Sequence, residues 1–318
     1  MNEEELIKEF DFEMSEAIKV EGEKPSAFLL DEKFLEPVKE TISEENAIIL
    51  SATLIKQFLH KGTERDYCGK KIKGVYIDKT YKIPPTESME KGLYFESGCL
   101  GLTANGGAVL DLPRNKKNGN KSVDQDRIDK QIMVFKSMCK DHGIKIQSND
   151  MSADAPKNVQ VTIYKEEVIN GRKVLLKGVV DILSFVKIMI RQDDWREYPF
   201  AIIDLKLTKD RNSNFGDFCW GQPENMDHIQ ACQYHYILGY PFLYLVFDYN
   251  KEETMGYKFI PVNFDDMKMQ EYKESLRKVV ALYEINESYE WQKTNPQFKL
   301  CKDCPIKECK DRNLTQEI

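Results

Sequence analysis

Residues 200–208 read Phe200-Ala201-Ile202-Ile203-Asp204-Leu205-Lys206-Leu207-Thr208. Alternation sets Ile203, Leu205 and Leu207 on one side and Asp204, Lys206 and Thr208 on the other, the period of a β-strand with one apolar face. A carboxylate and an ammonium therefore share one face of a core strand. Upstream, Gln160-Val161-Thr162-Ile163-Tyr164 and Lys173-Val174-Leu175-Leu176 flank Asn170-Gly171, the dipeptide most favoured in tight hairpins. The second run continues through Gly178-Val179-Val180-Asp181-Ile182-Leu183. Downstream, a helix is expected over 224–238, stopped by Gly239-Tyr240-Pro241, and the apolar run 242–249 suits a buried strand. Strands, helix, strand make an α/β core with a mixed central sheet flanked by helices.

Further out, Ser51 is a plausible N-cap for a helix through Leu54, Ile55 and Phe58 that ends at Lys61-Gly62. Helices are also expected over 87–102, over 122–140 with Ile128, Ile132, Phe135 and Met138 inward, and over 267–287. Residues 1–50, with apolar patches at Ala27-Phe28-Leu29-Leu30 and Ala47-Ile48-Ile49-Leu50, read as an N-terminal helical extension packed on a single domain spanning 51–318. The stretch 113–121 is a basic, turn-rich surface loop, and 191–197 reads as an insertion between two strands.

Composition narrows the class. Hydrophobic residues at 41% and aromatics at 11% exclude a disordered or collagenous chain. A length of 318 residues fits two average domains or one elaborated domain. No apolar run approaches the ~18 residues of a bilayer span, and the start Met1-Asn2-Glu3-Glu4-Glu5 is acidic where a secretory signal is basic. A cytoplasmic protein with no membrane partner is expected. The net charge of −7 argues against coating nucleic acid by bulk charge but permits a local basic groove. Eight cysteines in such a chain point to metal, cluster or redox chemistry rather than to disulfides, although several can be small buried hydrophobes.

Asp-x-Lys arises by chance roughly once or twice in a chain this long, so its context decides. Asp181 lies in a strand that is apolar on both faces, where an ionised carboxylate costs several kcal/mol without a compensating cation. The bland alternative is an Asp paired with a structural Arg or Lys. Two acidic residues and a lysine on neighbouring strands would otherwise make a divalent-metal site of hard oxygens. On the following helix Gln230 and Tyr234 are four apart and share a face.

The order Gly178-x-x-Asp181, Asp204-x-Lys206, Gln230-x-x-x-Tyr234 resembles the PD-(D/E)XK nuclease core, its RecB-like branch in particular. Gly92-Leu93-Tyr94-Phe95-Glu96 fits the glutamate form of that family's upstream helix motif, whereas His60, His142, His228 and His235 match none of the motif positions. The resemblance implies that Asp181, Asp204 and the Leu205 carbonyl bind Mg²⁺ or Mn²⁺, with Glu96 as a direct or water-mediated ligand. It further implies that Lys206 helps produce the attacking hydroxide and that Gln230 and Tyr234 position the strand or the active-site residues. The implied activity is a DNA exonuclease working at duplex ends or on single strands. A helicase or recombination partner and a homo-oligomer are both compatible with it. Lys70, Lys71 and Lys73, the 114–121 loop, and Lys209 with Arg211 are candidate phosphate contacts, although such runs are commonly just solvated faces.

Cys301, Cys304 and Cys309 crowd three thiols into nine residues, one short of the four that a structural zinc or an iron-sulfur cluster takes. Cys68 is the chosen fourth and Cys99 the runner-up, while Cys139, Cys219 and Cys232 read as structural. One early cysteine and a late trio resemble the iron-sulfur RecB-like nucleases, including the AddB nuclease domain and CRISPR-adaptation exonucleases, in which a 4Fe-4S cluster staples the two ends of the domain. Zinc is the competing occupant. Two rival readings stand beside the nuclease: a catalytically silent, cluster-bearing DNA-binding or assembly subunit, and a zinc-stapled protein of unrelated α/β fold.

Overall fold

The computed structural model describes residues 47–103, 107, 111–112, 121–147, 157–191, 194–216, 218–250, 256–291, 301, 304–307 and 309. The expected N-terminal extension up to residue 46 and most of the 113–121 loop lie outside the described residues.

A six-stranded mixed sheet is built from β1 (Ile48–Ser51), β4 (Val159–Ile169), β5 (Arg172–Arg191), β6 (Asp194–Thr208), β7 (Phe242–Asp248) and β8 (Tyr257–Val262). A separate two-stranded ribbon, β2 (Leu59–His60) with β3 (Thr63–Glu64), follows helix α1 (Ala52–Phe58). The other helices are α2 (Gly69–Ile72), which runs into a π-turn at Lys73–Ile77, then α3 (Glu87–Leu100), α4 (Val123–His142), α5 (Ile229–Leu238) and α6 (Asp266–Ser288). The fold is mixed α/β, with a central mixed sheet flanked by helices.

Local chemistry explains the boundaries. Ser51, Thr86, Ser122 and Asp265 each accept a hydrogen bond from the third residue of the helix they cap, satisfying an otherwise orphaned amide. At Asn170-Gly171 both φ angles are positive (53° and 80°), as the two-residue turn between β4 and β5 requires. Lys61-Gly62 has the same signature (48° and 74°), so the chain turns there in the β2–β3 ribbon, and α1 already ends at Phe58. Gly98 has a packing reason: a Cβ there would stand 2.3 Å from Ile132 Cδ1, so its absence lets α3 approach α4.

Three further expectations from the sequence are corrected. Ile48–Ser51 is a strand, not helix or loop, and pairs in parallel with β5 (Ile48↔Val174 to Ser51↔Lys177). The insertion expected over 191–197 is instead mostly strand among the described residues: the β5–β6 ladder runs on, with a register shift between Met189 and Arg191, through Met189↔Trp195 to Arg191↔Asp194. The helix expected over 224–238 starts at Ile229, after a 3-10 turn at Pro223–Asn225. β8, with Pro261 in it, is an additional strand; among the described residues it pairs only with β7, and an edge is where a missing amide is tolerated.

One face of the sheet carries Ile203, Leu205, Leu243, Leu245 and Phe247, packed with Phe95 and Cys99 of α3 and Phe135 and Cys139 of α4. The alternate residues face α5: Tyr234 meets Phe242, and His228 meets Tyr244. All seven residues of β7 are buried, as expected for a strand covered on both faces.

The register of β5 creates the feature that positions the site. β4 lies along one edge, from Arg172 to Ile182. The other edge is shared by β1, which stops at Lys177, and β6, which starts to pair at Ile182. Between them, on that second edge, the backbone around Val179 meets no strand among the described residues. Tyr234 enters this fork: its hydroxyl donates to the Val179 carbonyl (2.8 Å) and accepts from the Val179 amide (3.3 Å). Gln233 closes the upper end, donating to the carbonyls of Leu50 and Lys177 (3.0 and 2.9 Å).

The Tyr234 ring explains Gly178, because a Cβ there would sit 2.5 Å from Tyr234 Cε1 and 3.2 Å from Ile163 Cγ1. Gly178→Ala is therefore expected to destabilise the protein by about 1–3 kcal/mol in urea unfolding. In a Tyr234→Ala background the same change should cost much less. Equal costs in the two backgrounds would contradict the steric account.

Candidate active site at the strand fork

Asp181 and Asp204 stand one step beyond the pair Ile182↔Ile203 and face each other across β5 and β6. Gln160 faces Asp181 from β4, between the pairs Val159↔Ile182 and Val161↔Val180. A row Gln160–Asp181–Asp204 thus crosses three strands at the fork, and Glu96 reaches it from α3.

The contacts are specific. Gln160 Nε2 donates to Glu96 Oε1 (2.8 Å) and to Asp181 Oδ1 (3.1 Å). Asp181 Oδ2 accepts from the Leu205 amide at 2.7 Å. Asp204 is buried, with Oδ1 accepting from Gln230 Nε2 (2.9 Å) and Oδ2 facing Lys206 Nζ at 2.5 Å. Gln230 also donates to the Tyr234 hydroxyl at 3.3 Å. The structure therefore brings Glu96, Asp181, Asp204, Leu205, Lys206, Gln230 and Tyr234 together. Leu205 is tied in through its amide.

Among the described residues three carboxyl groups gather here around one ammonium. Burial, then the Asp204 charge and, more weakly, Glu96, push the Asp181 carboxyl up from 3.8 to about 8, against the opposing pull of Lys206. Burial opposes the Lys206 ammonium, but the Asp204 and Asp181 carboxylates outweigh it and hold the amine protonated above its usual range. Burial, with the same two carboxylates, raises the Tyr234 phenol to about 12, so it remains a hydrogen-bonding hydroxyl in the fork.

The Asp181 shift has a defined sign in stability. The folded chain binds this proton more tightly than the unfolded chain, so the contribution is complete below about pH 4 and is lost as pH rises through about 8. The melting temperature of metal-free wild type, measured relative to Asp181→Asn, is expected to fall across that window. A constant difference between the two would contradict the shift.

Sequence reasoning missed Gln160. It is 5% exposed, and its φ of +48° is a left-handed conformation within a strand, which costs a non-glycine residue about 1–2 kcal/mol. Val159-Gln160-Val161 reads as ordinary alternation, and no local signal in those residues announces the strain. Gly92, by contrast, has no close neighbour for an added Cβ, so packing gives no reason for that glycine. His142, buried beside Tyr257, binds the Lys187 carbonyl and lies outside the row.

A cleft of about 710 Å³ lies beside the start of α5, lined by Lys61, Asp227, His228, Lys268 and Tyr272 among others, and contains none of these carboxylates. Convergence of ionisable groups is the stronger guide to chemistry, so the candidate site is placed at the fork.

The thiols form a second gathering. Cys68 precedes α2, and neighbouring Tyr67 accepts at its hydroxyl from Asn286 Nδ2 near the end of α6 (3.1 Å). An added Cβ on Gly74 would lie 3.6 Å from Ile306, which brings the C-terminal segment against the π-turn. Burial raises the Cys68 thiol, and Cys304 and Cys309 are close enough to raise it further. The Cys304 amide donates to the Cys301 carbonyl at 3.2 Å. Cys99 instead packs with Cys139 in the α3–α4 core. Among the described residues no group of three or more His, Cys, Asp or Glu side chains is drawn tightly enough to hold an ion as it stands.

No protein-family model and no curated protein matches the chain. Among solved structures the chain is similar to a candidate exonuclease from Eubacterium rectale, with 17% identity over 92% of this chain and 99% of that one, at a TM-score of 0.48. It is also similar to SSO0001, with 11% identity over 84% of this chain and 87% of that one, at a TM-score of 0.35. Among the described residues no helix is long and apolar enough to cross a membrane.

Proposed function

We propose that the protein is a metal-dependent deoxyribonuclease of the PD-(D/E)XK, RecB-like type that shortens DNA from ends or along single strands. The observation that carries this reading is the row of Asp181 and Asp204 at the fork, joined by Glu96 and facing the Lys206 ammonium. Hard oxygens with surplus negative charge fit Mg²⁺ or Mn²⁺, which Glu96, Asp181, Asp204 and the Leu205 carbonyl would hold. Bound there, such a cation would supply polarisation of a scissile phosphate and stabilisation of the leaving oxygen. Lys206 supplies a fixed positive charge that orients the attacking water. Gln230 holds Asp204 in place, and Tyr234 keeps the fork open.

The loop between β6 and α5 supports a single-stranded substrate. It leaves the strand that carries Asp204 and Lys206, and it presents Phe215 at 87% exposure and Phe218 at 56%, with Phe218 stacked on Trp220 (5.6 Å, 18°). Exposed rings offer platforms for unpaired bases, and Lys209 beside them is exposed. Arg211 is engaged differently: its guanidinium lies 3.3 Å from Asp248 Oδ2, so it acts in the fold and not as a phosphate contact. Lys121 is likewise held by Asp129 at 2.8 Å. We assign Cys68, Cys301, Cys304 and Cys309 to a 4Fe-4S cluster, for which four soft thiols suffice.

The test uses end-labelled linear strands and closed single-stranded circles with Mg²⁺ or Mn²⁺. Linear DNA should be shortened and circles spared. Binding without shortening under either cation would favour the silent, cluster-bearing DNA-binding subunit.

A further inference from the structure

Gln160 combines features that a purely structural amide does not need. It is buried and held in a left-handed conformation directly opposite Asp181, and it spans two carboxylates on separate elements. Its Nε2 spends both hydrogens on Glu96 and Asp181, and its Oε1 is buried with no hydrogen-bond partner among the described residues. An orphaned amide oxygen at a buried polar centre is an unmet demand for a donor or a cation. The two ends of a carboxamide have nearly the same shape, so a half-turn exchanges them without disturbing the packing.

We infer that Gln160 is a fifth oxygen ligand and an occupancy-sensitive amide at the carboxylate site. With no cation present its NH₂ group ties Glu96 to Asp181; with a divalent cation its carbonyl oxygen turns toward the ion. The inference rests on the proposed nuclease reading and adds a neutral ligand from β4 to the residues that reading assigns. A neutral oxygen beside three carboxylates adds coordination without further charge repulsion, as suits Mg²⁺ or Mn²⁺. The left-handed backbone is then the cost of aiming this side chain into the row.

Gln160→Glu and Gln160→Leu separate this role from a structural one. Both lose the NH₂ bridge, but only Glu retains an oxygen. Mn²⁺ binding to the full-length protein is measured without DNA by electron paramagnetic resonance, and melting temperature is measured with and without Mn²⁺. The inference expects Gln160→Leu to bind Mn²⁺ roughly tenfold or more weakly than wild type. Gln160→Glu should bind at least as tightly as wild type and show a larger Mn²⁺-induced rise in melting temperature. Equal weakening in both variants, or none in either, overturns it while leaving the carboxylate site standing. A wild-type chain that takes up no Mn²⁺ overturns the carboxylate site and this inference together.

Discussion

Asp204→Asn is expected to lose DNA cleavage by about a hundredfold to a thousandfold or more while remaining folded. The two halves of this result have separate physical causes. Asparagine keeps the size of aspartate and can still accept from Gln230 at the position of Oδ1, so the packing around α5 survives. The change removes an attraction, the 2.5 Å contact with Lys206, and also a repulsion, because the Asp204 charge helps raise the Asp181 carboxyl. These effects offset each other in stability. They do not offset in chemistry, because a cation loses one of its charged ligands outright. Lys206→Ala should lose activity on a similar scale and leave two facing carboxylates unscreened, so its metal-free form should retain the Asp181 proton to still higher pH. If either variant cleaves like wild type, the roles given to Asp204 and Lys206 are wrong.

Cys304→Ser is expected to lower the melting temperature by about 10 °C or more and to bleach the preparation. A clip joining residues 68 and 301 closes a loop of roughly 230 residues, for which chain-entropy models give about 5.5 kcal/mol. Removing one thiol should also free the segment after α6 for proteolysis, since Ile306 and the buried Cys304 hold it against the π-turn. Calorimetry and visible absorption of the two proteins test this directly. A brown wild type with sulfur-to-iron absorption supports the cluster, whereas a colourless zinc-loaded protein assigns the same thiols to the competing metal. An unchanged melting temperature would mean that the thiols do not staple the chain.

Much of the sheet was legible because its strands obey simple rules. Asp204-Leu205-Lys206 alternates, Asn170-Gly171 marks its own turn, and the apolar run at 242–248 is long enough only for a buried strand. Gly178 was legible as part of a pattern, but its cause, the Tyr234 ring in the fork, depends on where β1 stops and β6 begins. No window of sequence contains that information. β1 was missed because four residues show too little period, and β8 because Pro261 argues against a strand unless the strand is known to lie at an edge. Gln160 was hidden most completely. Its identity is unremarkable between two valines, and only the pairing of β4 with β5 gives it Asp181 as a neighbour. The carboxylates carry chemistry in their residue type, whereas the amide acquires it from tertiary placement.

The most direct test of the central claim is cleavage of an end-labelled single strand by wild type and Asp204→Asn side by side, titrated with Mn²⁺ and then with a chelator. The account predicts saturable, chelator-reversible shortening by wild type and none by the variant. Equal digestion by both proteins, or no digestion at any Mn²⁺ concentration, would contradict it.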